Sequence, residues 1–225
     1  MGNSVARAVQ GSIPTSRWGF PDVDTWPDDD VVCVGADLEP STLVDAYSRG
    51  LFPMYLDRKH TMLGWWSPME RGVLNFGDLR VTRSLRQSRR RFTLTINHAF
   101  AEVIKGCSSV SRTGGWITTD FIDAYVELHR LGVAHSVEVW NNDHQLVGGL
   151  YGVRLDRFFA GESMFHLERD ASKVALLFLV EMMQIAGMSL LDTQWATDHL
   201  RSLGVSEVPR HEYLARLGAA TSPQR

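Results

Sequence analysis

Three polar residues lie in runs of the sequence that otherwise have the composition of buried strands. Glu162 lies in F-F-A-G-E-S-M-F (158–165), and Asp192 and Gln194 end the run M-S-L-L-D-T-Q (188–194). A polar group is costly to bury without a partner, so these three residues are candidates for function. Two carboxylates and an amide, without a paired nucleophile and base, suit the task of holding an amine and an activated carbonyl together.

The pair of Asp192 and Gln194 has the more specific chemistry. Side chains two residues apart in a strand leave the same face, so the two groups are expected side by side. The amide oxygen of Gln194 could accept a hydrogen bond from an amine, while the Asp192 carboxylate orients and polarises the amide through its NH₂ group. Two alternatives stay open: a structural pair at a strand end, and an internal partner for Glu162 in place of a cationic ligand.

Apolar residues on the surrounding elements complete a candidate pocket. They are Leu150, Phe159, Leu179 and Leu191. Each is by default a core residue, and only the three polar residues beside them favour a pocket wall.

A second candidate surface is basic. Arg83, Arg86 and Arg90 follow the spacing i, i+3, i+7 on one helical face, and we call these three residues the basic stripe. Charge runs are usually solvated surface. However, residues 83–91 hold five arginines in a chain of net charge −3, which favours binding of a phosphate backbone.

Tryptophans offer a stacking partner for a nucleobase. Most of the seven Trp are expected in the core. Trp116, which follows a Gly-Gly loop, is the preferred candidate, and Trp65 and Trp66 are the alternatives.

Composition sets limits on the class of protein. A chain of 225 residues, 44% hydrophobic and 22% charged, fits one large domain or one domain with a small appendage. Cys33 and Cys107 are expected to be reduced thiols, and the eight histidines lack metal-ligand spacing, so no metal is predicted. The longest apolar run, 174–180, is far shorter than the ~20 residues of a membrane span, and the N-terminus lacks a signal-like apolar region. The sequence therefore predicts a cytoplasmic protein.

Periodicity and turn residues predict the elements that position these groups. Strands are predicted over 31–35, 92–97, 136–140, 146–153, 158–165 and 188–194. Helices are predicted over 40–48, 81–91, 98–105, 119–131 and 171–186, with Asp170 capping the last of these, and two short helices close the chain. The stretch L-F-P-M-Y (51–55) is expected to be irregular because Pro53 interrupts it. An antiparallel meander followed by helix, strand and helix predicts an α+β fold with a mixed, largely antiparallel sheet.

Several motifs are specific enough to suggest a family. They include Y-S-R-G-L-F-P (47–53), W-W-S-P (65–68), A-H-S-V-E-V-W (134–140), V-G-G-L-Y-G-V (147–153), F-x-G-E-S-M-F (159–165) and D-T-Q (192–194). With these motifs, residues 31–217 resemble the bacterial leucyl/phenylalanyl-tRNA–protein transferases.

The resemblance implies an aminoacyltransferase. Such an enzyme takes Leu or Phe from aminoacyl-tRNA and joins it to the N-terminal Arg or Lys of an acceptor protein, which marks that protein for N-end-rule degradation. The expected protein is a monomer that needs no cofactor and has no membrane partner. The implied organisation is a tail and entry loop (1–30), a small N-terminal domain (31–70) and an N-acetyltransferase-like catalytic domain (71–225).

The resemblance also implies roles for individual residues. Asp192 and Gln194 correspond to the catalytic pair, and the basic stripe would hold the tRNA. The implied substrate-binding residues are Glu162, Trp116, Leu150, Phe159, Leu179, Leu191, Met54 and Ser163. The chain departs from the family pattern at Met54, where Trp is common, and at Leu179, where an aromatic residue is frequent; both bear on base affinity and on the choice between Leu and Phe.

Two rival functions are an acetyl-CoA-dependent N-acetyltransferase and a tRNA-binding protein without catalysis. The segment after the predicted strand 158–165 lacks a glycine and carries Glu168 and Asp170 where the phosphates of coenzyme A would lie. Like charge there disfavours acetyl-CoA, whereas the three polar residues disfavour a protein that only binds.

Overall fold

The computed structural model describes residues 13–109 and 115–222, within which ten strands and seven α-helices are formed. The strands are β1 (Val31–Val34), β2 (Phe52–Tyr55), β3 (Leu63–Trp66), β4 (Glu70–Leu74), β5 (Thr93–Ile96), β6 (Ala134–Trp140), β7 (Leu146–Leu155), β8 (Phe158–His166), β9 (Leu190–Gln194) and β10 (Ser206–Pro209). The helices are α1 (Pro40–Ser48), α2 (Arg83–Arg89), α3 (Phe100–Ser109), α4 (Thr119–Arg130), α5 (Ala171–Ile185), α6 (Asp198–Leu203) and α7 (Arg210–Thr221).

The strands form two sheets. A three-stranded antiparallel sheet has the order β1-β3-β2, and a seven-stranded sheet has the order β10-β4-β9-β8-β7-β6-β5. In the larger sheet only the β8–β9 pair is parallel among the described strands. This pair needs a crossover connection, which α5 supplies. The predicted α+β class with a mixed, largely antiparallel sheet is confirmed.

The larger sheet separates two hydrophobic cores. Along β7, Tyr151 and Val153 belong to the core shared with α1, α3, α4 and α7, whereas Leu150 belongs to the core shared with α2 and α5. This division follows from the two-residue alternation of side chains in a strand. Of the apolar residues predicted to form a pocket, Leu150, Phe159 and Leu191 therefore belong to the core on the α5 side, and Leu179 lies on α5 itself.

Helix α5 is the long apolar helix that the sequence predicts, and Gly187, with φ of 67°, follows it. The prediction that Asp170 caps this helix is wrong. Asp170 has φ of 69° and makes no cap hydrogen bond; its carboxylate instead accepts a hydrogen bond from Ser88 Oγ at 2.9 Å. The tertiary contact with α2 takes the side chain that would otherwise cap the helix.

Four strands differ from the sequence predictions. β2 is regular although it contains Pro53, because it is the edge strand of its sheet and an edge position tolerates a missing N–H donor. β3, β4 and β10 are short strands that the sequence did not reveal; β3 pairs with β2, and β4 pairs with β10. Residues 1–12 of the predicted tail lie outside the described residues, and the domain limits stay a prediction.

Candidate active site

A cavity of about 400 Å³ opens where β8 and β9 stop pairing. The two strands are paired from Phe158 with Leu190 to Ala160 with Asp192. Beyond those positions, both strands contribute residues to the cavity wall instead. The volume is that of a small-molecule site.

The wall is mainly apolar and also holds several polar groups. It is lined by Phe52, Pro53, Met54, Trp116, Leu150, Gly161, Glu162, Ser163, Met164, Leu176, Leu179, Leu191, Thr193, Gln194, Trp195, Thr197, His199 and Leu200. Most of the predicted site residues thus lie together, although their roles stay predictions.

Two of the residues predicted to lie at the pocket are placed elsewhere. Phe159 is 3% exposed and belongs to the core under α5. A Cβ placed on Gly152 would come within 2.4 Å of the Phe159 ring, so this ring packs over the glycine of the neighbouring strand and not in the cavity wall. Asp192, described below, does not line the cavity either.

A β-bulge explains the placement of Asp192. Strand β4 pairs Gly72 with Gln194 and Val73 with Asp192, so Thr193 is an extra residue without a partner on β4. Gln194 has φ of 58°, in the left-handed region. Because one inserted residue breaks the two-residue alternation, the strand spacing from which a shared face of Asp192 and Gln194 was predicted does not hold here.

The Asp192 carboxylate is fully buried and holds four hydrogen bonds. Oδ1 accepts from Arg71 Nε at 2.8 Å and from the backbone N–H of Gln194 at 2.9 Å. Oδ2 accepts from Arg71 Nη2 at 2.7 Å and from Tyr213 Oη at 2.9 Å. Asp192 therefore contacts the backbone of Gln194, and the expected contact with its side-chain amide is absent.

Glu162 takes the place that was predicted for Asp192. Its Oε1 accepts a hydrogen bond from Gln194 Nε2 at 3.2 Å, and its Oε2 accepts one from Tyr125 Oη at 3.3 Å. Tyr125 is also hydrogen-bonded to Tyr47 on α1. The amide of Gln194 is thus oriented by Glu162, which leaves its carbonyl oxygen for another donor.

The environment of Glu162 disfavours its charged form. Burial raises the pKa of Glu162 to about 8; the Asp192 carboxylate adds to this rise, and the hydrogen bonds from Tyr47 and Tyr125 oppose it. A carboxyl group with such a pKa can exchange a proton with an amine near neutral pH.

Aromatic side chains form another part of the wall. Trp116 lines the cavity and packs edge-to-face on Phe121, with 5.4 Å between ring centroids. Trp195, which was not predicted, packs edge-to-face on Phe52 at 5.1 Å and donates from Nε1 to Asp30 Oδ2 at 3.2 Å. Trp65 is fully buried and does not line the cavity.

The basic stripe is exposed on α2 and at its C-terminal end. α2 packs on α5, the helix that also supplies Leu176 and Leu179 to the cavity. Two neighbouring arginines, Arg89 and Arg91, are paired with Glu181 at 2.8 Å and Glu168 at 3.8 Å. Over the described ranges no ion pair is formed by the stripe itself.

The sequence interpretation missed four residues of the hydrogen-bond network around Asp192 and Glu162. They are Arg71, Tyr213, Tyr47 and Tyr125. A usable signal existed for Arg71, because a buried carboxylate requires a cation or several donors and Arg71 is the charged residue in the run R-G-V-L (71–74). The tyrosines lie on helices that look amphipathic, where a core position is the default.

Two further observations concern metals and membranes. Residues 13–109 and 115–222 contain no group of three or more His, Cys, Asp or Glu side chains that could hold a metal ion. No helix in the same ranges is both long and apolar enough to cross a membrane.

Family models and similar sequences indicate the same family. The family model of the leucyl/phenylalanyl-tRNA protein transferase matches residues 73–218, and the model of its N-terminal domain matches residues 36–69. A leucyl/phenylalanyl-tRNA–protein transferase of Maridesulfovibrio salexigens is 45% identical over 206 residues, which cover 89% of this chain and 85% of the relative. One from Anaeromyxobacter sp. strain K is 48% identical, covering 89% and 87%. A solved GCN5-related N-acetyltransferase from Kribbella flavida is 12% identical at a TM-score of 0.37, covering 63% of this chain and 55% of that one.

Proposed function

The chain belongs to the leucyl/phenylalanyl-tRNA protein transferase family, and on this basis we propose that it moves Leu or Phe from aminoacyl-tRNA to the N-terminal Arg or Lys of acceptor proteins. It is an aminoacyltransferase whose donor is an aminoacyl-tRNA. The finer parts of the proposal are the amino acids transferred, the acceptor and the roles of individual residues.

One observation carries the residue roles: the Glu162–Gln194 pair borders a cavity whose wall is otherwise rich in Leu and Met side chains. The apolar wall suits the Leu or Phe side chain. The polar pair suits the amine of the acceptor. The two substrates would meet where strand pairing between β8 and β9 ends.

The reaction needs little activation, because an aminoacyl ester is already reactive towards amines. The acceptor ammonium first loses a proton to the ionised form of Glu162, which later releases this proton to solvent. The α-amino group has an ordinary pKa of about 7.7–8.0, close to that of Glu162. Arrival of the cation also favours the ionised form of Glu162.

The neutral amine then donates a hydrogen bond to the Gln194 amide oxygen and attacks the ester carbonyl carbon. A C–N bond forms, the C–O bond to the terminal ribose breaks, and a proton from the amine passes to the ribose oxygen. Alignment of two substrates can supply about 7–11 kcal/mol in favourable cases. No step of this scheme requires a cofactor.

The tRNA would lie along α2. Exposed arginines without an internal partner are free to bind phosphates, and the basic stripe meets that description over the described ranges. Trp116 and Met54 would contact the terminal nucleoside, and Ser163 would contact the ester region. We further propose that the product enters N-end-rule degradation and that the enzyme is a cytoplasmic monomer.

The deciding experiment uses labelled Leu-tRNA and two acceptor proteins that differ only in their N-terminal residue, Arg or Asp. Label should enter the Arg protein alone, and acetyl-CoA at millimolar concentration should not compete. Binding of Leu-tRNA without transfer would favour a protein that only binds tRNA. Acetyl transfer to the amine would favour an N-acetyltransferase.

A further inference from the structure

The backbone at Gln194 needs support. A residue other than glycine at φ of 58° is strained, and such strain persists only where surrounding contacts hold it. The bulge at Thr193 adds a second departure from regular strand geometry. Together the bulge and the left-handed residue send the Gln194 side chain towards Glu162.

The support comes from Asp192. Its Oδ1 accepts the Gln194 N–H, which closes a tight turn from side chain to backbone. Each of its oxygens already accepts two hydrogen bonds, and the residue is 0% exposed. Asp192 therefore has neither a free acceptor position nor access to a substrate.

Arg71 and Tyr213 fix Asp192 in turn. The guanidinium of Arg71 donates to both carboxylate oxygens, and its Nη1 donates to the Gly50 carbonyl at 3.2 Å. It lies over the ring of Tyr213 at 4.3 Å and over the ring of Phe52 at 4.8 Å from their centroids. Burial raises the pKa of Tyr213, so its hydroxyl stays protonated and donates to Asp192.

We propose that Arg71 and Tyr213 are positioning residues: they hold the Asp192 carboxylate, which fixes the bulged turn that presents the Gln194 amide in the cavity. The inference rests on the proposed function of Gln194. It makes the C-terminal helix α7, through Tyr213, part of the apparatus that orients the site. This role requires the planar guanidinium of Arg71, because its two N–H donors hold both oxygens of Asp192 in a fixed orientation.

Two variants test the proposal. Tyr213→Phe removes one hydroxyl and keeps the ring beside Arg71. Arg71→Lys keeps the charge but cannot hold both Asp192 oxygens in the same geometry. The matched control is Tyr151→Phe, since Tyr151 is also fully buried and its hydroxyl has no hydrogen-bond partner among the described residues.

The measurements are Leu-tRNA affinity, the single-turnover transfer rate of the folded fraction, and its pH profile. Misplacement of a reacting group should lower the rate about tenfold in Tyr213→Phe and about a hundredfold in Arg71→Lys, at unchanged affinity and with the same pH midpoint. Tyr151→Phe should keep the wild-type rate. Wild-type rates in both test variants, or a loss that appears only as a shifted pH midpoint, would overturn the proposal.

A second measurement does not depend on catalysis. The Gln194 amide proton should exchange slowly with solvent in the wild-type protein and faster in Tyr213→Phe. Exchange in the wild type as fast as in an unstructured peptide, or equal in the two proteins, would overturn the inference. Absence of transfer by the wild type with a protected Gln194 amide would instead refute the proposed function.

Discussion

Replacing Glu162 with Gln should stabilise the protein in mildly alkaline solution while it slows transfer. Burial holds the pKa of Glu162 at about 8, so the charged form is disfavoured in the folded state. Gln has nearly the same shape and no charge. Its Oε1 can still accept from Gln194 Nε2, and its NH₂ group can donate to the Tyr125 oxygen.

The size of the effect follows from proton linkage. The unfolded chain releases the proton near the ordinary pKa of 4.5, whereas the folded protein keeps it until about pH 8. The folded state therefore holds more protons in this interval, and its stability falls as the pH rises. One group changes the free energy of unfolding by about 1.36 kcal/mol per pH unit, so the loss between about pH 6 and about pH 8 is about 2–3 kcal/mol. Above that range the loss levels off.

Urea unfolding of wild type and Glu162→Gln at about pH 6 and about pH 9 measures this loss. The difference between the two proteins isolates Glu162, because the other groups titrate in both. Glu127→Gln is the control: a hydrogen bond from Arg130 lowers the pKa of the exposed Glu127, which is thus ionised throughout the window. Its difference from wild type should not depend on pH.

The outcome that refutes this reasoning is a difference between wild type and Glu162→Gln that is equal at both pH values. A difference that favours the wild type at the higher pH refutes it as well. Single-turnover transfer must also fall in Glu162→Gln, because an amide cannot take the ammonium proton. Undiminished transfer would remove Glu162 as the proton acceptor.

Three other substitutions test separate parts of the site. Asp192→Ala should lower transfer by about a hundredfold with little loss of tRNA binding. It should also destabilise the fold by about 3–5 kcal/mol, because Arg71 is left buried without a counter-charge. Near-normal turnover in the folded variant would contradict this prediction. Replacing the basic stripe with Ala should reduce the slope of log K against log salt by about 0.7–0.9 for each tRNA phosphate that is no longer neutralised. The control is Arg89→Ala, which should change the slope less because the Arg89 guanidinium is paired with a glutamate on α5. Equal slopes for all the variants would show that the basic stripe does not bind tRNA. Leu150→Trp should overpack the cavity wall and reduce transfer of Phe more than transfer of Leu; unaffected Phe transfer would place the side-chain pocket elsewhere.

Local patterns in the sequence determined much of the fold. Helix α1 has the predicted limits because Pro40 fits a first helical turn and Gly50, at φ of 84°, ends the segment. The β6–β7–β8 meander and α5 follow from alternation and from an apolar run that must be buried. The same patterns identified Glu162, Leu150 and Leu179 as neighbours of one cavity.

Tertiary structure alone decided how the polar groups are paired. Arg71 and Asp192 are 121 residues apart in the chain, and no local pattern connects them. The bulge at Thr193 depends on pairing with β4, a strand too short to show periodicity. It breaks the alternation from which the contact of Asp192 with the Gln194 amide was predicted, and that amide is hydrogen-bonded to Glu162 instead. Sequence periodicity therefore determined which residue types lie near the cavity, whereas strand register across the sheet decided which of them meet, because register is set by contacts between segments that are distant in sequence.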